Sequence, residues 1–102
     1  MHVIVDVCVV PIGVGVSLSA YVAACGEVIE EAGLKQVPGP NGTAIEGEWD
    51  TVFTAVKACH DRVHKMGAPR VHTTVKVGTR IDRVQTIEDK LASVKVLREG
   101  EL

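Results

Sequence analysis

Hydrophobic and polar positions along this chain follow two periods, and the switches between them mark the elements. Residues 2–12 form a β-branched run in which both parities are largely apolar, which predicts a central strand with both faces at least partly covered. Pro11, Ile12 and Gly13 end it, and Gly13 and Gly15 make a loop. Ser17 is placed to cap a helix whose apolar residues, Leu18, Tyr21, Val22, Cys25, Val28, Ile29 and Ala32, recur at helical spacing. Gly33 stops that helix. A short strand over 34–37 and a Pro- and Gly-rich turn over 38–42 lead by a hairpin into a strand over 43–48.

That third strand turns at Gly47 almost directly into a second helix, with Asp50 expected as its cap and Val52, Phe53, Val56, Cys59, Val63 and Met66 as its buried stripe. Strict alternation returns at residues 70–80, with Val71, Thr73, Val75 and Val77 on one face and Arg70, His72, Thr74 and Lys76 on the other. Thr86-Ile87-Glu88-Asp89 resembles a capping box and opens a last helix with Ile87, Leu91, Val94 and Leu97 as its apolar side. The order β-α-β-β-α-β-α predicts an α+β fold, a ferredoxin-like βαββαβ sandwich with an extra C-terminal helix, as a single domain over 1–102. Its four strands are antiparallel and both main helices lie on one face. The first and third strands are expected as parallel neighbours in the middle, with the fourth flanking the first.

The alternation leaves Ile4, Asp6 and Cys8, then Glu46 and Glu48, then His72, Thr74 and Lys76 on the uncovered face of the sheet. Two carboxylates side by side on a strand are unfavourable without a cation or donor between them. A buried Asp6 likewise needs a partner, which Lys76 or His72 can supply as readily as a ligand. An apolar strip of Ile4, Cys8 and Val10 beside these charges predicts a homo-oligomer, a dimer of dimers, through the sheet.

Composition narrows the classes. The chain has 102 residues, 46% of them hydrophobic and only 3% aromatic, so aliphatic side chains must fill one modest core. A net charge of −2 without a basic stripe argues against nucleic acid. The apolar run near the start is too short to span a bilayer and carries Asp6. No basic leader segment or cleavage site precedes it, so neither membrane nor secretion is expected. Three cysteines without a CxxC pair, Cys8, Cys25 and Cys59, read as buried free thiols in a cytoplasmic, reducing setting.

Candidate chemistry is sparse. His60 and His64 share a helix face, but an Asp occupies the general-base position of the zincin pattern and no third ligand is placed. Two solvated histidines, with no metal, are the simpler reading. Cys59 and His60 are adjacent on a helix and point apart, so they form no dyad. Arg80 and Asp82 read as a rim ion pair. No nucleotide, phosphate-loop or nucleophile-elbow motif is present.

Val10-Pro11-Ile12-Gly13, Thr43-x-Ile45-Glu46-Gly47-x-Trp49-Asp50, Arg70-Val71-x-Thr73 and Gly78-Thr79-Arg80 with Asp82 resemble the small thiamine-binding, YkoF-like protein family over almost the whole chain. Asn41 stands before Gly42-Thr43 where many relatives carry methionine. The resemblance implies a ferredoxin-like domain that assembles into dimers and tetramers and binds thiamine or its hydroxymethylpyrimidine part, without a catalytic residue or a resident cofactor.

On that reading the ligand-binding residues are Asp6, Thr43, Ile45, Glu46, Glu48 and Trp49. Glu46 meets the aminopyrimidine, Asp6 or Glu48 balances the thiazolium cation, Thr43 offers a hydroxyl, and Trp49 is either a stacking face or a core residue closing the sheet's end. The partners are a small cationic heterocycle and the chain's own copies. The alternatives are an acid–base enzyme using Asp6, Glu46 and His72, or a purely structural or regulatory oligomer.

Overall fold

A computed structural model describes residues 1–100. The elements are β1 (His2–Ile12), α1 (Ser19–Glu31), β2 (Lys35–Gly39), β3 (Gly42–Glu48), α2 (Trp49–Lys65), β4 (Arg70–Gly78) and α3 (Ile87–Gly100). The strands form one four-stranded sheet in the order β2-β3-β1-β4, the ferredoxin-like arrangement. All neighbouring pairs are antiparallel, β1 with β3 included. The expected parallel pairing of the first and third strands is therefore corrected. A helical crossover returns β2 in the direction of β1, and the hairpin then reverses β3 against both.

Alternation along β1 sends Val3, Val5 and Val7 toward the helices, where they meet Ile45 of β3, Cys25 and Ile29 of α1, and Val52, Val56, Cys59 and Val63 of α2. With so few aromatics the core is built from these aliphatic and thiol side chains. Each large aliphatic one contributes about 1.5–3 kcal/mol on burial. Gly47 points to the same side, and a methyl group there would overlap Leu34 Cδ2. The bare Cα is what lets Leu34 close over the sheet.

Several boundaries differ from the sequence reading. α1 begins after Leu18 and α2 after Glu48, neither with a side-chain cap, so Ser17 and Asp50 are not caps. Asp50 lies inside the first turn of α2, where its charge favours the helix dipole. β2 starts one residue late and runs on through Pro38 to Gly39, leaving Pro40 and Asn41 as the turn. An edge strand tolerates a proline because one side of it needs no hydrogen bonds.

α3 starts with the expected capping box. Thr86 Oγ1 accepts from the Asp89 N–H at 3.1 Å, and Asp89 Oδ2 accepts from the Thr86 N–H at 3.0 Å. The helix touches the sheet at β3 and buries Ile87, while Leu91, Val94 and Leu97 stay exposed. No helix among the described residues is long and apolar enough to cross a membrane.

Candidate functional site

Two places on the sheet concentrate chemistry, on opposite faces. The first is Glu46. Its strand neighbours set it toward the face away from α1 and α2, yet the residue is only 6% exposed because the start of α3 covers it. Glu46 Oε1 accepts from the Ile87 N–H at 3.1 Å and lies 3.8 Å from Lys35 Nζ. His2 Nε2 stands between Glu46 Oε2 at 3.3 Å and the Gln85 carbonyl at 3.2 Å.

Lys35 faces Glu46 across the β2–β3 pair and also binds Glu88 of α3. That contact, with the Glu46 charge behind it, raises the Lys35 pKa, and the Lys35 ammonium lowers that of Glu88. The cation and donor that the Glu46 carboxylate requires are thus Lys35 and His2. Both oxygens of Glu46 are occupied by the protein itself, and its position at a helix N-terminus is one where a negative charge is favoured.

The second place is a recess of about 690 Å³ between α1 and the sheet, bordered by the β2–β3 turn. Val7, Val9 and Ile45 line its sheet side, Leu18, Val22 and Ile29 its helix side, and Asn41 and Thr43 its turn side. Thr43 and Ile45 share a parity on β3 that faces the helices. The Cys25 and Cys59 thiols also border the recess. A volume within roughly 300–1,000 Å³, mostly apolar with a few polar groups, is that of a small-ligand site.

The six residues expected to bind a ligand do not converge. Thr43 and Ile45 line the recess, although Ile45 is fully buried in the core. Glu46 is on the other face under α3. Asp6 is exposed rather than buried and makes no ion pair among the described residues, although it faces Lys76 in register. A methyl group on Gly42 would come within 2.8 Å of Asp6 Oδ1, so this carboxylate lies over a residue whose backbone borders the recess. Glu48 is exposed and pairs with the Met1 ammonium group. Trp49 is 39% exposed and stacks on Phe53 at a centroid distance of 4.7 Å, so it does not close the core.

Pattern reasoning missed the recess because its wall is shared between a helix and a strand far apart in sequence. The trio of Asp6, Glu46 and His72 is not assembled within the chain. Glu46 sits opposite Ile4 and His72 opposite Val10, which puts them roughly 7 and 14 Å from Asp6 along the strand direction. His60 Nε2 meets Thr73 Oγ1 at 2.5 Å and His64 Nδ1 meets the Ala68 carbonyl at 2.8 Å, so both histidines are spent on local structure. Arg80 and Asp82 form the expected rim pair. All three cysteines are free, Cys25 and Cys59 buried and Cys8 half-buried.

Fold and recess together define a ferredoxin-like α+β sandwich with a ligand-sized space under its first helix. A family model described as thiamine-binding protein matches residues 5–95. The chain is 58% identical to a UPF0045 protein of Synechocystis sp. across 98% of this chain and 83% of that one. It is 40% identical to a UPF0045 protein of Eremothecium gossypii across 93% and 91%.

A solved hypothetical protein of Methanocaldococcus jannaschii superposes with a TM-score of 0.87 at 34% identity, covering 92% of this chain and 96% of that one. A candidate thiamine biosynthesis/salvage protein of Thermotoga maritima superposes at 0.79 with 26% identity, over 92% and 99%. The chain belongs to the thiamine-binding protein family.

Proposed function

We propose that this protein binds thiamine or its hydroxymethylpyrimidine part, without catalysis, in the recess between α1 and the sheet. The observation that carries the reading is the recess itself, whose size and apolar walls suit a flat heterocycle. The Thr43 hydroxyl and the Asn41 amide supply hydrogen-bonding groups at its turn side. Asp6 lies over Gly42 on the sheet face away from the recess, so the polar groups offered to the ligand are those of Thr43 and Asn41. Family membership supports the ligand class. Glu46 is assigned to holding α3.

Assembly belongs to the same proposal. The apolar side of α3 is exposed at Leu91, Val94 and Leu97, and Val77 of β4 is 45% exposed. Copies of the chain would cover these side chains by assembling as a dimer of dimers. Isothermal titration against thiamine, hydroxymethylpyrimidine and a plain quaternary amine tests the binding reading. Heat with the first two and none with the amine is the expected result; no heat and no thermal stabilisation with any of them rejects it.

A further inference from the structure

Two buried thiols face one another where α1 packs on α2, and neither has a part in the binding reading. Cys25 is 8% exposed and Cys59 1%. The Cys59 thiol donates toward the Cys25 carbonyl at 3.8 Å, which sets its sulfur against Cys25 of the facing helix. Both border the recess, so an apolar reagent that enters under α1 reaches them without unfolding the core. Arg62, three residues beyond Cys59, crosses to Glu27 of α1 at 3.1 Å and ties the two helices together beside the thiols.

We propose that Cys25 and Cys59 are a redox-active dithiol that an organic hydroperoxide oxidises to a disulfide linking α1 to α2. The Cys25 sulfur attacks the terminal oxygen of the hydroperoxide, the O–O bond breaks, and the alcohol leaves with a proton while Cys25 becomes a sulfenic acid. The Cys59 sulfur then attacks the Cys25 sulfur, the S–O bond breaks, and water leaves with the Cys59 proton. The two electrons given up by the thiol pair end on the peroxide oxygens, reduced to one alcohol and one water.

The two sulfurs are not equivalent, and the difference sets the order of attack. The neighbouring Cys59 thiol, with burial opposing and the Arg62 charge added, lowers the Cys25 pKa. The adjacent Cys25 thiol and burial raise that of Cys59. The thiolate is the nucleophile, so Cys25 attacks first and Cys59 resolves. Cys8 also borders the recess and is half-buried, but it has the other parity on β1 from the core-facing valines, so it is the internal control for a thiol without a facing partner.

The test uses the full chain, reduced, desalted and treated with cumene hydroperoxide. Peptide mapping is expected to find Cys25 joined to Cys59, lighter by two hydrogens, with Cys8 still free. In Cys59→Ser, the reaction stops at a sulfenic acid on Cys25 that dimedone captures. In Cys25→Ser, labelling of Cys59 is slower by roughly tenfold or more. Oxidation confined to Cys8, disulfides only between chains, or an unchanged thiol count in the folded chain would each overturn the proposal. The wild-type peptide map decides even where a serine variant does not fold.

Discussion

The N–H of Ile87, at the start of the last helix, donates to the Glu46 carboxylate in the third strand at 3.1 Å. A strand residue thus anchors a helix from 41 positions away, and Lys35 holds the same junction by contacting both Glu46 and Glu88. Glu46→Gln keeps the shape but removes the charge. The expected loss is about 1.5–3 kcal/mol, the value of a hydrogen bond to a charged group, or roughly 6–24 °C of melting temperature in a domain of this size. Thiamine affinity is expected to stay within twofold, so melting and titration on one sample separate anchor from ligand contact.

The same junction gives α3 a pH window. The Lys35 ammonium lowers the Glu88 pKa, and hydrogen bonding to Thr86 lowers that of Asp89. A carboxylate depressed in the folded state stabilises fully above its unfolded value, and that contribution is lost as pH falls through the folded one. Lys35 is raised, so its contribution is present below its unfolded value and lost as pH rises through the higher folded one. Amide exchange over residues 87–90 should therefore accelerate below roughly pH 4 and above roughly pH 10, with a protected plateau between. Flat protection down to pH 2 would remove the role given to these pairs.

Gly47 is a packing position. Gly47→Ala drives a methyl group into Leu34 Cδ2 and is expected to cost about 1–3 kcal/mol, as overpacking does. Leu34→Ala in the same chain relieves the clash. The double variant should be more stable than the sum of the two single losses predicts, as read from denaturant midpoints. Additive losses would show that Leu34 is not the obstacle.

Ala23 is exposed on α1 and borders the recess. Ala23→Leu adds bulk to the wall without removing a core contact. It is expected to weaken thiamine binding at least tenfold, about 1.4 kcal/mol, while shifting the melting temperature by less than about 3 °C, the scale of a neutral surface change. Undiminished heat of binding in this variant would move the ligand elsewhere on the protein.

Light scattering at micromolar concentration is expected to show a homo-oligomer. Leu91 and Leu97 are 62% and 69% exposed in the single chain, and covering each is worth about 1.5–3 kcal/mol. Leu91→Glu together with Leu97→Glu should shift the species to a smaller one without changing the far-ultraviolet spectrum. A wild-type monomer would refute the assembly.

Much of the fold was legible because it is written in short-range periods. The valines of β1, the strict alternation of β4, the stripe of α2 and the Thr86–Asp89 capping box all depend on neighbours within a few residues. The caps of α1 and α2 were misread because Ser17 and Asp50 have the right chemistry one or two places from the true boundary.

Glu46 was recognised as a carboxylate in need of a partner, but its partners lie on β1, β2 and α3, and no local pattern announces that α3 returns to cover it. The recess and the Cys25–Cys59 contact were illegible for the same reason. Each is made by elements that meet only after the chain has crossed the sheet.

Pro38 on β2 has one more consequence. The sheet has two margins, and at this one the proline offers no N–H to an incoming strand. The β4 margin, bearing Arg70 and Lys76, has no such interruption. A second copy joined there by its own β4 would present only proline-bearing ends, so growth by strand addition terminates at two copies. A single imino acid thereby biases the protein toward closed assemblies and away from fibres.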